Sequence, residues 1–565
     1  MAKKFMNDPT DCVEELIGGV LAAHSSLSRL EGFNVLLHRD IATVKLSQVT
    51  LLSGGGSGHE PAHAGYIGNG MLSGAILGGV FASPSISSIY AAIKAAAGPS
   101  GVLLIVKNYT GDRINFGQAA LMATADLGIP VEMVVVADDS ALPEGKGITG
   151  GRGVAGTVFI HKIAGAAAAA GMPLAAVAAA AREAADAVRT LGTALTTCTV
   201  PGTAPSDRLD SKTMEMGLGI HGEPGMKQMP VAPAAAIVAE MLSVIWGRMG
   251  AKKPKKVALL VNNLGGTSSL EMYIVVNDAV KYVKTALGAE PVRVLVGPFM
   301  TSLEMQGISL SLFDVDDPLV LSRLDAPTTA SAWLAPSTVS PEALPMVTLP
   351  PSTGEVANSA GMTATVEGEA VPAAVVLGAC TALDGAEAQL TAWDQVAGDG
   401  DCGITFQRGA REVAAKVGNY PLASGAATFG ALADSISASM GGTSGALLEI
   451  FFRAGKVHLL ASPGDYAGAF AKGSVAIKNI GGADEGMRTM LDALLPASRV
   501  LVDGGGWEKA VEAAEAGADA TTGMEALAGR SNYISKELLQ TVPDPGAKAV
   551  AIAMRAGLSA YAGSD

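Results

Sequence analysis

Residues 336–365 divide this chain of 565 residues into two parts with different sequence patterns. Proline, serine, threonine and glycine dominate this segment without periodicity, which is typical of a flexible linker. Before it, apolar β-rich runs alternate with Ala-rich helical stretches, whereas after it apolar residues recur at helical spacing and strand-like alternation is scarce. We therefore predict an α/β domain over residues 1–335, a linker over 336–365 and an all-α domain over 366–565.

Four apolar runs of the first part each lead into a polar or glycine-containing loop. Their alternation with helical stretches is typical of βαβ units in a mainly parallel or mixed sheet. Ligands of such sheets bind beyond the carboxyl ends of the strands, where these loops lie. The four runs are VLLIVKNYTGD (102–112), VEMVVVADD (131–139), KVALLVNNLGG (256–266) and VRVLVGPF (292–299).

Composition excludes several classes of protein. The net charge of −14 argues against a nucleic-acid partner, because phosphate neutralisation needs a basic surface. The four cysteines are scattered without a CxxC pair, which favours a reducing compartment. The N-terminal MAKKFMNDPTD lacks the apolar core of a signal peptide, and the Ala-rich stretch 163–188 is broken by Gly-Met-Pro. We expect a cytoplasmic chain with no membrane partner, whose Ala-rich helices pack closely against their neighbours.

The stretch LLSGGGSGHEPAH, residues 51–63, places a glycine-rich turn beside His59, and GLGIHGEPG gives His221 a similar setting. A P-loop is the first alternative, but no Lys-Ser or Lys-Thr follows the last glycine and GxGxxG is absent. Glycines allow a small ligand to approach backbone N–H groups closely, so we favour a site for a small polar ligand. The remaining alternative is two loop histidines that only bond the backbone.

Lys107 and Asp112 lie just beyond the strand predicted at 102–107. In a functional interpretation, Asp112 is a general base and Lys107 neutralises phosphoryl oxygens. A structural interpretation makes them an ion pair or a strand cap. The spacing alone leaves both interpretations open.

The strongest signal in the residues is WDQVAGDGDCG, which spaces Asp394, Asp399 and Asp401 around glycines. Carboxylates at this spacing converge on a hard cation such as Mg²⁺. An EF-hand is the rival, but its glutamate is missing. Three solvated aspartates are the other alternative, which the absence of a nearby Lys or Arg disfavours, since the carboxylates would repel one another without a metal. The segments MGGTSG (440–445), RTM (488–490) and PDPGAK (543–548) fit ordinary helix starts, and only their combination with the aspartates indicates a nucleotide site.

These motifs occur together, and in one order, in a known family. The chain resembles the ATP-dependent dihydroxyacetone kinases of the triokinase/FAD-AMP lyase-like type, in which two domains are fused on one chain. The resemblance covers nearly all of the chain apart from the linker. The matching stretches are SGGGSGHEPAH, IVKNYTGDRINF, LGIHGEPG, NNLGG, AGDGDCG, MGGTSG, RTMLDAL, GRSNY and DPGAK.

For the first domain, the resemblance implies two α/β subdomains that bind a short ketose. His221 would add through its ring nitrogen to the substrate carbonyl, giving a hemiaminal that glycerol cannot form. Asp112, assisted by His59, would deprotonate the substrate hydroxyl. The residues implied for this site are Gly56, Ser57, Gly58, His59, Lys107, Asp112 and His221.

For the second domain, the resemblance implies an eight-helix barrel that binds ATP, with two Mg²⁺ ions on Asp394, Asp399 and Asp401. The sequence departs from the family at Ile404, where a small hydroxyl residue is common, and at Glu485 and Met487, where relatives often carry Pro and Asp. We expect these changes to alter ATP affinity. The implied nucleotide contacts are Asp401, Cys402, Gly403, Ile404, Thr443, Ser444, Gly481, Thr489, Met490, Arg530, Asp544, Pro545 and Gly546.

The activity implied is phosphorylation of dihydroxyacetone to dihydroxyacetone phosphate, within glycerol metabolism. Some relatives also phosphorylate glyceraldehyde or erythrulose, and some cleave FAD with cyclisation at the nucleotide site. A phosphoprotein-dependent enzyme and a ketose-sensing regulator are the alternatives. Fusion of both domains on one chain favours exchangeable ATP, and retention of all three aspartates argues against a regulator. The resemblance also implies a homodimer in which the linker lets each nucleotide domain serve the partner chain's ketose site.

Overall fold

The fold was analysed on a computed structural model, which describes residues 3–142, 150–339 and 370–563. The chain divides into two compact units, Met1–Val347 and Thr348–Asp565. Most of the predicted linker, residues 340–365, lies outside the described residues. Among its described residues, Ser337 and Thr338 form a short strand of the first unit.

The first unit contains two mixed sheets, which confirms the α/β prediction. The first sheet has six strands in the order β1-β2-β4-β3-β5-β6. Its four strands β4, β3, β5 and β6 are parallel, and β2 and β1 add antiparallel pairs at one edge. The strands are β1 Leu27–Arg29, β2 Val35–His38, β3 Thr50–Ser57, β4 Gly74–Val80, β5 Val102–Lys107 and β6 Val131–Val136.

The second sheet has seven strands in the order β13-β11-β10-β12-β7-β8-β9. Among the seven strands as the structure describes them, β10 and β11 pair in parallel and the other neighbours pair antiparallel, so this sheet is largely antiparallel. The predicted runs at 256–266 and 292–299 are β10 and β11, and those at 102–112 and 131–139 are β5 and β6. The strands are β7 Val188–Ala194, β8 Thr213–Met216, β9 Lys227–Pro230, β10 Lys256–Asn263, β11 Glu290–Gly297, β12 Gly307–Asp314 and β13 Ser337–Thr338.

One continuous apolar core joins the two sheets through α5 and α6, which together form the Ala-rich stretch. Alanine and glycine allow the close approach: a Cβ on Gly165 of α5 would lie 2.4 Å from the carbonyl oxygen of Gly70. The predicted tight packing of this stretch is confirmed. The helices of the unit are α1 Cys12–Ala23, α2 Ile41–Ser47, α3 Ile86–Ala96, α4 Thr110–Leu127, α5 Thr157–Ala169, α6 Leu174–Ala187, α7 Ala234–Arg248, α8 Ser269–Thr285 and α9 Pro318–Asp325.

The second unit is helical throughout its described residues. Eight of its helices form a closed ring in the order α10-α12-α13-α14-α15-α16-α17-α19, each packed against the next and α19 against α10. All eight line one apolar cavity of about 550 Å³, which defines a barrel. The helices are α10 Ala373–Gly385, α11 Glu387–Ala397, α12 Cys402–Lys416, α13 Gly425–Ser439, α14 Gly442–Ala461, α15 Tyr466–Gly481, α16 Leu491–Val502, α17 Gly506–Ala520, α18 Lys536–Leu539 and α19 Pro545–Ala562.

Within residues 3–142, 150–339 and 370–563, every helix is too short or too polar to cross a bilayer.

Candidate active site

The glycine run of the first unit is part of a strand and not of a turn, which corrects the sequence interpretation. Gly54 and Gly56 lie in β3, and each is needed for close packing. A Cβ on Gly54 would lie 2.3 Å from the carbonyl oxygen of Ile76, and one on Gly56 would lie 2.7 Å from the Cα of Phe81. These two glycines therefore allow β3 to pack closely against β4 and against the residues that follow β4.

His59 follows β3 directly and is buried. Its Nδ1 lies 2.8 Å from the carbonyl oxygen of Thr301. Because a carbonyl only accepts, Nδ1 carries the hydrogen, and Nε2 of the neutral ring presents its lone pair. Among the described residues, Nε2 has no hydrogen-bond partner. Burial and the charges of Lys107 and His221 lower the pKa of His59 well below its ordinary value, so the ring is a neutral acceptor.

His221 lies in the loop between β8 and β9, and its ring meets that of His59 edge to face at 4.9 Å. Phe81 stacks on His59 at 5.0 Å and contacts His221 edge to face, also at 5.0 Å. On a further side, the ring of Tyr109 lies 4.9 Å from His221. The structure thus brings the two predicted histidines together within a set of aromatic rings.

Lys107 ends β5 and Asp112 lies in the first turn of α4, where a carboxylate is favoured by the helix dipole. The Asp112 carboxylate and the Lys107 ammonium both approach the position that a Cβ of Gly55 would take, at 3.7 and 3.8 Å. Asp112 also accepts a hydrogen bond from Ser83. Burial raises the pKa of Asp112, against the opposing effects of Ser83 and Lys107, and burial lowers the pKa of Lys107.

Two of the predicted substrate residues are engaged within the protein. The Ser57 hydroxyl donates to the carbonyl oxygen of Gly78 at 2.8 Å, and the Gly58 N–H donates to the Glu60 carboxylate at 3.0 Å. Gly58 has φ +102°, a conformation that favours glycine. The Ser57 hydroxyl and the Gly58 N–H therefore hold the backbone beside His59 in place, and both donate within the protein and not to a ligand.

The three aspartates of the second unit form a compact group. Asp394 lies in the last turn of α11, and each of Asp394, Asp399 and Asp401 places one carboxylate oxygen within 4.8 Å of the others. Oδ2 of Asp394 accepts from the N–H groups of Asp401 and Cys402, at 2.9 and 3.0 Å, and so holds the start of α12 beside α11. Three hard oxygen donors on a turn fit a divalent cation such as Mg²⁺.

The predicted nucleotide contacts gather at one end of the barrel. From α12 to α17, consecutive helices of the ring are joined by short connections and so run antiparallel, which places the starts of α12, α14 and α16 at the same end. A Cβ on Gly546 of α19 would lie 3.7 Å from Met490 at the start of α16. The N-termini of helices present backbone N–H groups and positive dipole ends, which suit phosphate oxygens. Thr443 and Ser444 lie in the first turn of α14, and Gly481 ends α15 beside Leu447.

The departures from the family pattern lie at the rim of this end. The side chain of Ile404 is half exposed. Glu485 pairs with Arg499, and its carboxylate is partly exposed. The three aspartates themselves match the family pattern.

Arg530, one of the predicted nucleotide contacts, begins a short 3-10 helix, Arg530–Tyr533.

Arg488 begins the RTM segment, but it was not among the predicted nucleotide contacts. It has φ +62° and is buried, and its Nη2 donates to the carbonyl oxygen of Val542 at 2.9 Å. Within the described part of the chain, Nε and Nη1 have no partner. Burial lowers its pKa, although the charge of Asp544 opposes this. The guanidinium therefore ties the start of α16 to the segment that leads into α19.

Asp544 caps α19 by accepting from the Ala547 N–H at 2.7 Å, and burial raises its pKa from 3.8 to about 6. The stability that its neutral form contributes is fully present below pH 3.8 and is lost as the pH rises through about 6. Asparagine caps a helix equally well and stays neutral at every pH. We therefore expect Asp544→Asn to keep the part of the free energy of unfolding that the wild type loses as Asp544 ionises, about 2 kcal/mol after allowance for partial exposure. The difference in Tm between variant and nucleotide-free wild type should grow from pH 4 to pH 7, and a constant difference would contradict this assignment.

Other residues beside His59 and His221 were also missed. Thr301 comes from the loop after β11, so no local pattern connects it with His59. Phe81 and Tyr109 resemble ordinary apolar residues in the sequence. Glu223 had a signal, because it follows His221 by two residues in HGEPG, and Glu60 follows His59 directly in GHEPAH.

Comparison with known proteins was made by domain and by whole chain. The Dak1 domain matches residues 18–332, and the DAK2 domain matches residues 396–559. A putative 3,4-dihydroxy-2-butanone kinase of Solanum lycopersicum is 44% identical over 98% of this chain and 97% of its own length. The triokinase/FMN cyclase of Homo sapiens is 44% identical over 98% of both chains.

A solved structure agrees over the whole length. The dihydroxyacetone kinase of Citrobacter freundii in complex with AMP-PNP and Mg²⁺ is 36% identical and covers 100% of both chains, with a TM-score of 0.65. An α/β unit joined to a helical barrel, with the same two domains as these proteins, makes this chain a two-domain kinase. It belongs to the dihydroxyacetone kinase family, in the form that carries both domains on one chain.

Proposed function

We propose that this chain transfers the γ-phosphoryl group of ATP to dihydroxyacetone and so forms dihydroxyacetone phosphate. The observation that carries the proposal is the presence of two complementary sites on one chain. One unit holds His221 beside His59 and Asp112, which suits a compound with a carbonyl and a hydroxyl. The other holds a carboxylate group at an end where four helices begin, which suits a magnesium nucleotide.

His221 is the residue proposed to capture the ketose. Its Nδ1 is bonded to Glu223 at 2.8 Å, so the lone pair of Nε2 is the nucleophile. Attack on the carbonyl carbon forms a carbon–nitrogen bond and turns the carbonyl into a hydroxyl, giving a hemiaminal. Glycerol has similar hydroxyls without a carbonyl, so it is not captured. Gly56, Ser57 and Gly58 form the wall of this pocket.

Asp112 is the proposed base for the substrate hydroxyl. Burial raises the pKa of its carboxyl, which makes the carboxylate a better proton acceptor than an exposed aspartate. His59 presents its Nε2 lone pair as a second acceptor. Lys107 supplies positive charge beside Asp112 for the phosphoryl oxygens as the negative charge on them develops.

Asp394, Asp399 and Asp401 are the proposed ligands of two Mg²⁺ ions. When bound, the metal would neutralise charge on the phosphates during transfer. The starts of α12, α14, α16 and α19 would receive the nucleotide through backbone N–H groups. The residues assigned to the nucleotide are Asp401, Cys402, Gly403, Ile404, Thr443, Ser444, Gly481, Thr489, Met490, Arg530, Asp544, Pro545 and Gly546.

The test of this function is ATP turnover with dihydroxyacetone, glyceraldehyde, erythrulose, 3,4-dihydroxy-2-butanone and glycerol, each with and without Mg²⁺. We expect turnover only with carbonyl compounds and only with the metal, because capture needs the carbonyl and transfer needs the cation. Equal turnover with glycerol would contradict capture at His221. No turnover with any of them would remove the kinase proposal.

Cleavage of FAD with cyclisation is a second candidate at the nucleotide site. The observation that favours it is the 44% identity over nearly the full length to a triokinase/FMN cyclase. Such a reaction needs the nucleotide side and not the ketose pocket. Variants confined to one site therefore separate the two activities.

A homodimer in which each nucleotide domain serves the partner chain's ketose site is part of the same proposal. It is supported by the family resemblance and by the position of the predicted linker between the two sites in the chain. We also place the enzyme in the cytoplasm, which is supported by four unpaired cysteines.

A further inference from the structure

The loop that carries His221 is held from two sides by arginine–carboxylate pairs. Arg152 bonds Asp139 at 2.6 Å and donates to the carbonyl oxygen of Gly217 at 2.7 Å. Arg208 pairs with Glu215 at 3.1 Å and donates to the carbonyl oxygen of Gly222 at 2.9 Å. The backbone on both sides of His221 is thereby fixed by side chains from outside the loop.

Glu223 makes a further contact that reaches the His221 ring itself. One carboxylate oxygen accepts from Nδ1 of His221 at 2.8 Å, and the other accepts from the His221 backbone N–H at 3.1 Å. Two donors of one residue thus meet two oxygens of one carboxylate. This arrangement admits one ring tautomer, with hydrogen on Nδ1 and a lone pair on Nε2.

Arg152 lies near the same carboxylate, and the charges of the two groups favour each other. A Cβ on Gly219 would lie 1.8 Å from Oε2 of Glu223 and 2.6 Å from Nη1 of Arg152, so a glycine is required where these two groups converge. Burial would raise the pKa of Glu223, but the hydrogen bonds and charge of His221 outweigh burial and lower it to about 2. The carboxylate is therefore ionised at neutral pH, within reach of the guanidinium.

We propose that Glu223 is the positioning residue of the ketose site: it selects the nucleophilic tautomer of His221 and stabilises the positive charge that the ring carries when it adds to the substrate, while the charge of the nearby Arg152 keeps Glu223 ionised. This inference rests on the proposed capture of the ketose by His221. No contact of Glu223 with the substrate is required.

The addition of His221 to the ketose forms one bond and moves one proton. The Nε2 lone pair forms a bond to the carbonyl carbon, and the π electron pair of the carbonyl moves to its oxygen, which takes one proton from water. The ring carries a positive charge after this bond forms, and the ionised Glu223 carboxylate stabilises that charge through its hydrogen bond with Nδ1–H. The hydroxide left by the water then takes up one proton from the ring through solvent, so the net change is the transfer of one proton from the ring to the oxygen while Glu223 stays ionised.

The test compares Glu223→Gln with a matched control, Arg208→Gln, in the full chain. A glutamine has one acceptor oxygen for the two His221 donors, and its NH₂ group stabilises the other tautomer. Arg208→Gln weakens the same loop without touching Glu223 or the ring. Imidazole ¹⁵N shifts give the tautomer of His221, assigned by loss of the signal in His221→Ala. A ¹³C label at the dihydroxyacetone carbonyl reports the adduct, and kinetics give kcat/KM.

We expect Glu223→Gln to lose the single tautomer and to lower kcat/KM for dihydroxyacetone about a hundredfold, with KM for ATP unchanged. Arg208→Gln should keep the tautomer. A wild-type tautomer and adduct in Glu223→Gln would overturn the inference, as would equal loss in both variants, because the loop alone would then orient the ring. Wild type without an adduct would instead count against capture by His221, and the ¹⁵N shifts would still decide the role of Glu223.

Discussion

Replacing Asp401 with asparagine is expected to lower ATP-dependent phosphorylation of dihydroxyacetone about a thousandfold. We expect no other near-isosteric substitution in the second unit to cause a larger loss. Asparagine keeps the shape of the side chain and removes one negative charge from a group whose oxygens lie within 4.8 Å of one another. The cation would lose a charged ligand at the point where phosphoryl charge develops. The same change should remove FAD cleavage, because both reactions are proposed to use this site.

The measurement is turnover across a range of Mg²⁺ concentrations, together with calorimetric titration of magnesium nucleotide. Asp434→Asn is the matched control, since this carboxylate of the same unit pairs with Arg453 instead. Asp394 is a poorer choice for substitution, because it also holds the start of α12 through two backbone N–H groups. Wild-type turnover in Asp401→Asn at low Mg²⁺ would remove the aspartates from the metal site.

The elements that were predictable from sequence are those whose burial is continuous along the chain. The strands β5 and β10 are buried on both faces and therefore appear as unbroken apolar runs. The aspartate group was predictable because its three members lie within eight residues, so a turn alone brings them together. The barrel helices follow from apolar residues at helical spacing, whereas closure of the ring rests on the family resemblance.

The remainder depends on contacts between distant residues, which no local pattern records. The strands β8 and β9 flank His221 and are only four residues long, and β9 is largely exposed, so neither gives an apolar run. Thr301 reaches His59 from 242 residues away. The glycines of β3 were interpreted as a ligand-binding turn, since close packing between strands and close approach of a ligand require the same residue.

His221→Ala is expected to lower phosphorylation of dihydroxyacetone about a thousandfold and to leave FAD cleavage at the wild-type rate. Alanine removes the nucleophile, and the hydroxyls of the ketose then offer nothing that glycerol lacks. Nucleotide binding should not change, because His221 and the aspartates belong to different units. Phosphorylation and FAD cleavage are measured on the same preparation, and a loss of both activities would contradict the separation of the two sites.

The same two variants decide whether domains are exchanged between chains. His221→Ala keeps an intact nucleotide domain, and Asp401→Asn keeps an intact ketose domain. If each nucleotide domain serves the partner chain, a mixed dimer contains one intact pair of sites and one pair with both defects. Mixing the two inactive variants under conditions that allow subunits to exchange should then restore phosphorylation, to at most about a quarter of the wild-type rate for a random mixture. If each chain serves itself, every pair keeps one defect, and the mixture should stay as inactive as its components.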